Sequence, residues 1–190
     1  MAIQIGAKPS PTFRQPLELL SDCHRRVESF LRALIIVAEQ AKGGVLDARQ
    51  REALETALRY FREAAPKHTA DEEESLFPRM RELGDDATRE ALEKIQSLEG
   101  DHRAAAGDHL LIEELGQKWL ANNGLPPDET NRLAGSLQRV AAIYERHISI
   151  EDNEIFPLAA KVVPPEKLAE VGREMAKRRG QDPDRQWKFR

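Results

Sequence analysis

The residues of this chain that can bind a metal ion recur in a regular pattern. The chain has five histidines among its 190 residues, and two of them are followed four residues later by a glutamate, as His68/Glu72 and His147/Glu151. Residues four apart lie on one face of an α-helix, one turn from each other. Imidazole and carboxylate together suit iron, manganese or zinc rather than calcium or magnesium. Both pairs are therefore candidate metal ligands.

The two pairs belong to an internal repeat. Residues 68–78 match residues 147–157 at an offset of 79, and both segments end in Phe-Pro. At an offset of 78, His24 matches His102 in the same way. Two halves of the chain therefore carry equivalent sets of histidine and glutamate, which predicts two helical hairpins related by a pseudo-two-fold axis.

Four long helices must position these residues. Apolar residues recur at steps of three and four, which is typical of amphipathic helices, and no long stretch alternates as a strand would. The predicted helices run from Pro16 to Gly43-Gly44, from Asp47 to about Leu83, from just after Asp85-Asp86 to about Asn122, and from just after Asp128 to about Val163. A short fifth helix follows Pro164-Pro165 and ends at Gly180. Pro66, Pro78 and Pro157 predict kinks or interruptions inside the second and fourth helices.

The short connections predict antiparallel neighbours, so the fold class is all-α: an up-down-up-down four-helix bundle with a short C-terminal fifth helix. The bundle is expected over residues 16–163. Residues 1–15 form an N-terminal extension, and residues 164–190 form the C-terminal helix and a polar tail.

The histidines and glutamates lie within the apolar stripes and therefore face the bundle interior. Burying such groups without a partner is costly, and a bound cation removes that cost. Six ligands are too many for one tetrahedral zinc, so we expect two metal ions, bridged by two carboxylates, with two histidines on each. The predicted ligands are His24, His68, Glu72, His102, His147 and Glu151. A bundle with buried His–Glu hydrogen bonds and no metal is the alternative.

On these residues the chain resembles the bacterial hemerythrin-like, or HHE cation-binding, family. The resemblance rests on His24, His102 and the two His-x-x-x-Glu pairs with their trailing Phe-Pro, and it covers about residues 16–160. It implies a non-haem di-iron centre, with manganese as the other candidate metal and an oxo or hydroxo bridge. It also implies open positions for O2, NO or peroxide, and a role in oxygen or iron sensing or in handling oxidative stress.

The chain departs from oxygen-carrying hemerythrins in its third helix. Those proteins carry a fifth histidine four residues after the one matched by His102, where this chain has Ala106. They also use an aspartate five residues after the last histidine, a spacing that Asp152 satisfies. The 3.6-residue helical period and the match to Glu72 favour Glu151, and Asp152 is kept as the alternative ligand.

Other readings are kept open. A di-iron oxidoreductase that turns over peroxide, O2 or NO is the second function, and a sensor whose helix packing depends on metal occupancy is the third. A ferritin-like centre needs paired Glu-x-x-His motifs, and only Glu99/His102 fits. His109 is expected to pack in the core or support a ligand rather than bind metal, and Tyr144 to pack inward or contact a metal-bound species.

Composition excludes several classes of protein. A net charge of −4 argues against wrapping nucleic acid, and the single cysteine, Cys23, excludes a disulfide framework. The longest apolar run, residues 33–38, is far shorter than the roughly 20 residues needed to cross a bilayer. The start of the chain lacks the apolar region of a secretory signal. We therefore expect a cytoplasmic protein with no membrane or nucleic-acid partner, and a protein partner or homo-oligomer is left open.

Overall fold

The computed structural model describes residues 11–83 and 89–182. Every regular element in these two ranges is helical. The α-helices are α1 (Pro16–Ala41), α2 (Ala48–Glu63), α3 (Ala65–Asp71), α4 (Phe77–Leu83), α5 (Arg89–Asn122), α6 (Pro127–Ile150), α7 (Phe156–Val162) and α8 (Pro165–Arg178). Single π-helical turns, Glu72–Leu76 and Glu151–Ile155, join α3 to α4 and α6 to α7. None of the helices in the described ranges has the length and apolarity required to span a membrane.

These elements form the expected four-helix bundle. Its second rod consists of α2, α3, the first π turn and α4, and its fourth rod consists of α6, the second π turn and α7. Helix α1 packs against α2 and α6, and α5 packs against the same two helices. The C-terminal helix α8 lies against α1, α3 and the first π turn.

The interruptions fall where the prolines predict them. The second rod breaks at Ala64, two residues before Pro66, and each π turn ends two residues before Pro78 or Pro157. In each π turn, the last N–H before the proline donates to the carbonyl oxygen five residues earlier. Proline lacks an N–H and its ring collides with the carbonyl four residues earlier in a regular helix. The wider π turn relieves this collision.

The helix ends also follow the sequence signals. The N–H of Gln50 donates to Asp47 Oδ1 over 2.8 Å, and the Gln50 side chain accepts from the Asp47 N–H over 3.0 Å, which completes a capping box. Helix α1 ends at Ala41, and Gly43 then adopts a positive φ of 75°. Helix α8 ends at Arg178, two residues before the predicted end. The predicted stop at Gly84 and start at Asp85-Asp86 lie outside the described residues.

The bundle interior consists of two apolar clusters on either side of a polar layer. The first cluster includes Leu20, Leu76, Leu98 and Ile155, and the second includes Leu31, Leu58, Ile112 and Val140. Helices α1 and α5 run from the first cluster to the second, while the other two rods run in the opposite direction. On every rod a predicted histidine ligand lies between the two clusters, so the antiparallel packing brings all four histidines to one level.

Candidate metal centre

The six predicted ligands meet in this polar layer. Helices α1, α3, α5 and α6 contribute the histidines, and the first residue of each π turn contributes a glutamate. Both glutamates have no exposed surface, three of the histidines are buried, and the fourth is half-buried. The residues concerned are His24, His68, Glu72, His102, His147 and Glu151.

Two groups of possible ligands share one carboxylate. His24, His68 and Glu72 form one group, and Glu72, His102 and His147 form the other, with one ligand atom from each residue within 4.8 Å of the others in its group. The Oε1 atom of Glu72 lies 3.6 Å from His24 Nε2 and 3.3 Å from His68 Nε2. The other oxygen, Oε2, lies 3.7 Å from His102 Nε2. Each oxygen of Glu72 thus faces a different group.

The second glutamate also contacts both groups. Glu151 Oε2 lies 3.1 Å from His24 Nε2 and 3.1 Å from His147 Nε2. Asp152, the alternative ligand, lies on the outer side of His24, where its Oδ1 is 3.0 Å from Nδ1. The structure therefore brings Glu151, and not Asp152, among the Nε2 atoms.

The buried polar atoms of this layer fit a cation. Among the described residues, His24 Nε2 and all four carboxylate oxygens of Glu72 and Glu151 have no hydrogen-bond partner. Leaving such groups unpaired in the interior costs free energy. Nitrogen and oxygen ligands that share a metal at about 2.1 Å lie about 3 to 3.4 Å from each other, close to the separations observed. The four histidines line a small cavity of about 20 Å³.

In three of the histidines the Nδ1 atom, on the side of the ring away from the glutamates, contacts a carboxylate. The Nδ1 atoms of His24, His102 and His147 lie 3.0, 2.8 and 3.4 Å from Asp152, Glu73 and Asp101. An Nδ1–H that donates to a carboxylate leaves Nε2 free to coordinate, fixes the ring orientation and makes the imidazole a stronger ligand.

These outer carboxylates partly follow the internal repeat. Glu73, from the first half of the chain, supports His102 in the second half, and Asp152, its repeat equivalent, supports His24 in the first half. The symmetry fails at His68, whose Nδ1 has no hydrogen-bond partner among the described residues. His147, its equivalent, has Asp101.

Asp101 is a residue of this centre that could not be identified from the sequence. It lies next to His102, points toward the neighbouring helix, and contacts both Arg146 and His147 there. Its repeat-equivalent position is occupied by Cys23, so the repeat offers no second carboxylate to reveal it. Its position immediately before a candidate ligand was the available signal.

Burial and neighbouring charges shift the pKa values of several of these residues in opposite directions. Burial, reinforced by repulsion from Glu151, raises the pKa of Glu72. Burial also acts on Glu151, but the imidazoles of His147 and His24, each 3.1 Å away, outweigh it and lower its pKa. The pKa of His24 is raised because Asp152, Glu151 and Glu72 outweigh its burial, whereas burial lowers the pKa of His68. The metal-free cluster therefore holds protons where a cation would bind.

Other candidates from the sequence lie outside the cluster. His109 Nε2 is 2.6 Å from Tyr144 Oη, and this pair packs beside the centre. Glu99 pairs with Arg81 over 2.7 Å and contacts none of the clustered histidines. Cys23 is buried, and burial raises the pKa of its thiol.

A larger cavity of about 510 Å³ adjoins the centre, and we call it the side cavity. Its walls include Leu58, Phe61, Ala65, Ala106, His109 and Tyr144. It shares His102 and Tyr144 with the small cavity between the histidines. This cavity could not be predicted from the sequence, because a cavity depends on how neighbouring helices pack.

Comparison with known proteins agrees with this geometry. Residues 15–159 match the family model of the hemerythrin HHE cation binding domain. The chain is also similar to an uncharacterized protein of Haemophilus influenzae, with 29% identity over 174 residues, covering 88% of this chain and 92% of that protein. The family match covers all six clustered residues and both π turns.

Proposed function

This chain belongs to the hemerythrin HHE cation-binding family, and we propose that it binds two iron ions between its four rods. His24 and His68 would hold one ion, and His102 and His147 the other. Glu72 and Glu151 would bridge the two ions. The observation that carries this proposal is the sharing of Glu72, whose two oxygens face different histidine pairs.

The ligand count supports bound ions with open positions. Two histidines and one oxygen from each bridging glutamate give each ion about four protein donors, and iron accommodates six ligands. Bound iron would supply exchangeable positions and the Fe(II)/Fe(III) couple. We propose O2, NO or peroxide as the exogenous ligand, in sensing of oxygen or iron or in handling oxidative stress. Manganese is the other metal that the donor set accepts.

Metal content tests the proposal through the shared ligand. Full-length protein loaded anaerobically with Fe(II) and desalted is expected to retain about two iron ions per chain. The variant His68→Gln removes a ligand from one group only and should retain about one ion. The variant Glu72→Ala removes the shared ligand and should retain less than one. Elemental analysis with protein quantification measures all three ratios.

His109→Gln is the matched control, because His109 is half-buried near the centre but contacts Tyr144 instead of the clustered glutamates. It should keep the iron content of the unaltered chain. The proposal fails if the unaltered chain retains less than one iron or manganese ion, or if His109→Gln loses as much metal as His68→Gln.

Ligand binding is tested separately from metal binding. Iron-loaded protein titrated from anaerobic to air-saturated buffer should change its absorption spectrum, and added azide should shift the bands of the oxidised form. Reversal when oxygen is removed would indicate a binder or sensor. A spectrum that responds to neither oxygen nor azide would contradict the open positions.

The side cavity favours one second function, a di-iron oxidoreductase. Its volume of about 510 Å³ admits peroxide, O2 or NO, and it reaches His102. An enzyme would show sustained consumption of peroxide, O2 or NO with an electron donor, lost in His147→Ala. A single stoichiometric reaction with no sustained consumption would leave the binding role alone.

A further inference from the structure

The side cavity has the size and walls of a site for an organic molecule. Ligand pockets for small molecules usually have volumes of about 300 to 1,000 Å³ and are mostly apolar, and this cavity, which is open to solvent on one side, has a volume of about 510 Å³. Leu58, Phe61 and Ile112 contribute apolar walls. Leu110, one of three large hydrophobic side chains that are strongly exposed among the described residues, lies at the cavity with 73% of its surface exposed.

Two alanines line the cavity. Ala106 lies one turn after His102 on α5 and is exposed, and Ala65, at the start of α3, is partly buried. A longer side chain at position 106 would project into this space. Ala106 is also the position at which the chain departs from oxygen-carrying hemerythrins.

The polar side chains that line the cavity are Arg62, Thr69, His102, His109, Glu113 and Tyr144. His109 and Tyr144 form a hydrogen-bonded pair of 2.6 Å against the ring of Phe61, which lies 5.2 Å from the His109 ring. His102 lines the end nearest the centre. The charged groups of the walls, Arg62 and Glu113, neutralise each other in an ion pair of 2.7 Å.

We propose that the side cavity binds an uncharged aromatic alcohol of one or two fused rings, with its hydroxyl at the His109–Tyr144 pair. Apolar walls and Phe61 favour aromatic rings, and the absence of an unpaired charge among its wall residues favours a neutral molecule. One hydroxyl can both donate and accept at the pair. The proposal goes beyond the proposed function and rests on it only for placing the molecule beside the bound iron.

Fluorescence titration tests the site with two probes, 2-naphthol and naphthalene, which differ by the hydroxyl. The unaltered full-length chain, both metal-free and iron-loaded, should bind 2-naphthol with a Kd on the order of 100 µM. Naphthalene should bind about fivefold more weakly, because it makes no hydrogen bond to the pair.

Two variants locate the binding. Ala106→Leu should weaken 2-naphthol binding at least about tenfold, since it fills the cavity. Ala104→Leu is the matched control: it makes the same change at an exposed position of α5 outside the cavity and should bind as the unaltered chain does. Tyr144→Phe should reduce the preference for 2-naphthol over naphthalene.

The outcomes separate this proposal from the metal proposal. Absence of saturable 2-naphthol binding below about 1 mM, equal weakening in Ala106→Leu and Ala104→Leu, or an unchanged preference in Tyr144→Phe would overturn it. Iron content is measured on the same samples. For the unaltered chain after iron loading, no naphthol binding with two irons retained refutes the cavity proposal alone, and naphthol binding with less than one iron retained refutes the metal proposal alone.

Discussion

The two nitrogens of the clustered histidine rings have different partners. The Nε2 atoms of all four face Glu72 or Glu151, while the Nδ1 atoms of His24, His102 and His147 face outer carboxylates. This arrangement orients the Nε2 atoms for coordination already in the metal-free protein. It also makes the outer carboxylates part of the proposed site, although none of them faces the Nε2 atoms.

We expect Asp101→Asn to weaken metal binding without removing it. The amide holds the His147 ring less strongly and polarises it less, so the affinity for the ion at His102 and His147 should fall about 10- to 100-fold. Competition with a metal chelator measures the affinity. Two ions should still bind at saturating metal.

Asp108→Asn is the matched control for this variant. Asp108 also links α5 to α6, through Arg139, as Asp101 does through Arg146, but it contacts no clustered histidine. Its metal affinity should remain that of the unaltered chain. Equal losses in the two variants would mean that helix packing, and not the contact with His147, explains the effect.

The ligand residues themselves could be predicted from sequence, because helical spacing and the repeat both select them. Their outer partners could not be predicted as a set. Asp101 precedes a candidate ligand by one residue, and Asp152 follows one by one residue, so each lies about 100° around the helix from that ligand. Which histidine such a side chain reaches depends on the rotation of the neighbouring helix, and periodicity carries no information about that.

Among the secondary-structure elements, the π turns set the directions of adjacent acidic residues. Each begins at a clustered glutamate, Glu72 or Glu151, and the next residue, Glu73 or Asp152, supports a histidine on another rod. The prolines that follow predicted a distortion at these points. The type of distortion was not predictable, since kinks, breaks and π turns all accommodate a proline.

The C-terminal end of α8 forms ion pairs with α3, the helix that carries His68. Asp71 is fully buried, and its two oxygens accept from Arg178 over 2.9 Å and from Arg179 over 2.7 Å. Removing the partners of a buried charge is strongly destabilising. The double variant Arg178→Ala/Arg179→Ala should therefore lower the free energy of unfolding by about 3 to 5 kcal/mol, measured by denaturant titration.

Adding Asp71→Asn to that double variant tests the cause. The triple variant no longer buries an unpaired charge, so it should recover part of the lost stability. Arg139→Ala, which breaks an exposed pair with Asp108, should cost no more than about 1 kcal/mol. A triple variant less stable than the double variant would contradict the assigned role of Asp71.

Across the whole molecule, two apolar clusters stabilise a layer of buried ionisable groups between them. In the metal-free protein this layer holds protons that the unfolded chain releases. The pKa of Glu72 is raised from 4.5 to about 8, and those of His24 and His147 are raised above 6.5. The lowered pKa values of Glu151 and His68 affect stability at lower pH.

The metal-free protein should consequently lose stability as pH rises from 6.5 to 8. In this window the folded state binds more protons than the unfolded state, and each group contributes up to about 1.4 kcal/mol per pH unit. Thermal melts across the window should show a falling Tm, with a smaller slope in Glu72→Gln. Iron-loaded protein should melt at higher temperature and with little slope, since metal replaces the protons.

A Tm of the metal-free protein that rises between pH 6.5 and 8 would contradict this assignment. An equal slope in Glu72→Gln would show that another group accounts for the change. Asp108→Asn again serves as the control, because Asp108 titrates at acidic pH and its pKa is lowered by Arg139.

Anomalous diffraction at the iron edge, from crystals of the iron-loaded chain, tests most directly whether two iron ions share Glu72. Two peaks about 3 to 4 Å apart are expected, one beside His24 and His68 and the other beside His102 and His147, with Glu72 contacting both. A single peak, or two peaks that share no carboxylate, would contradict the proposal.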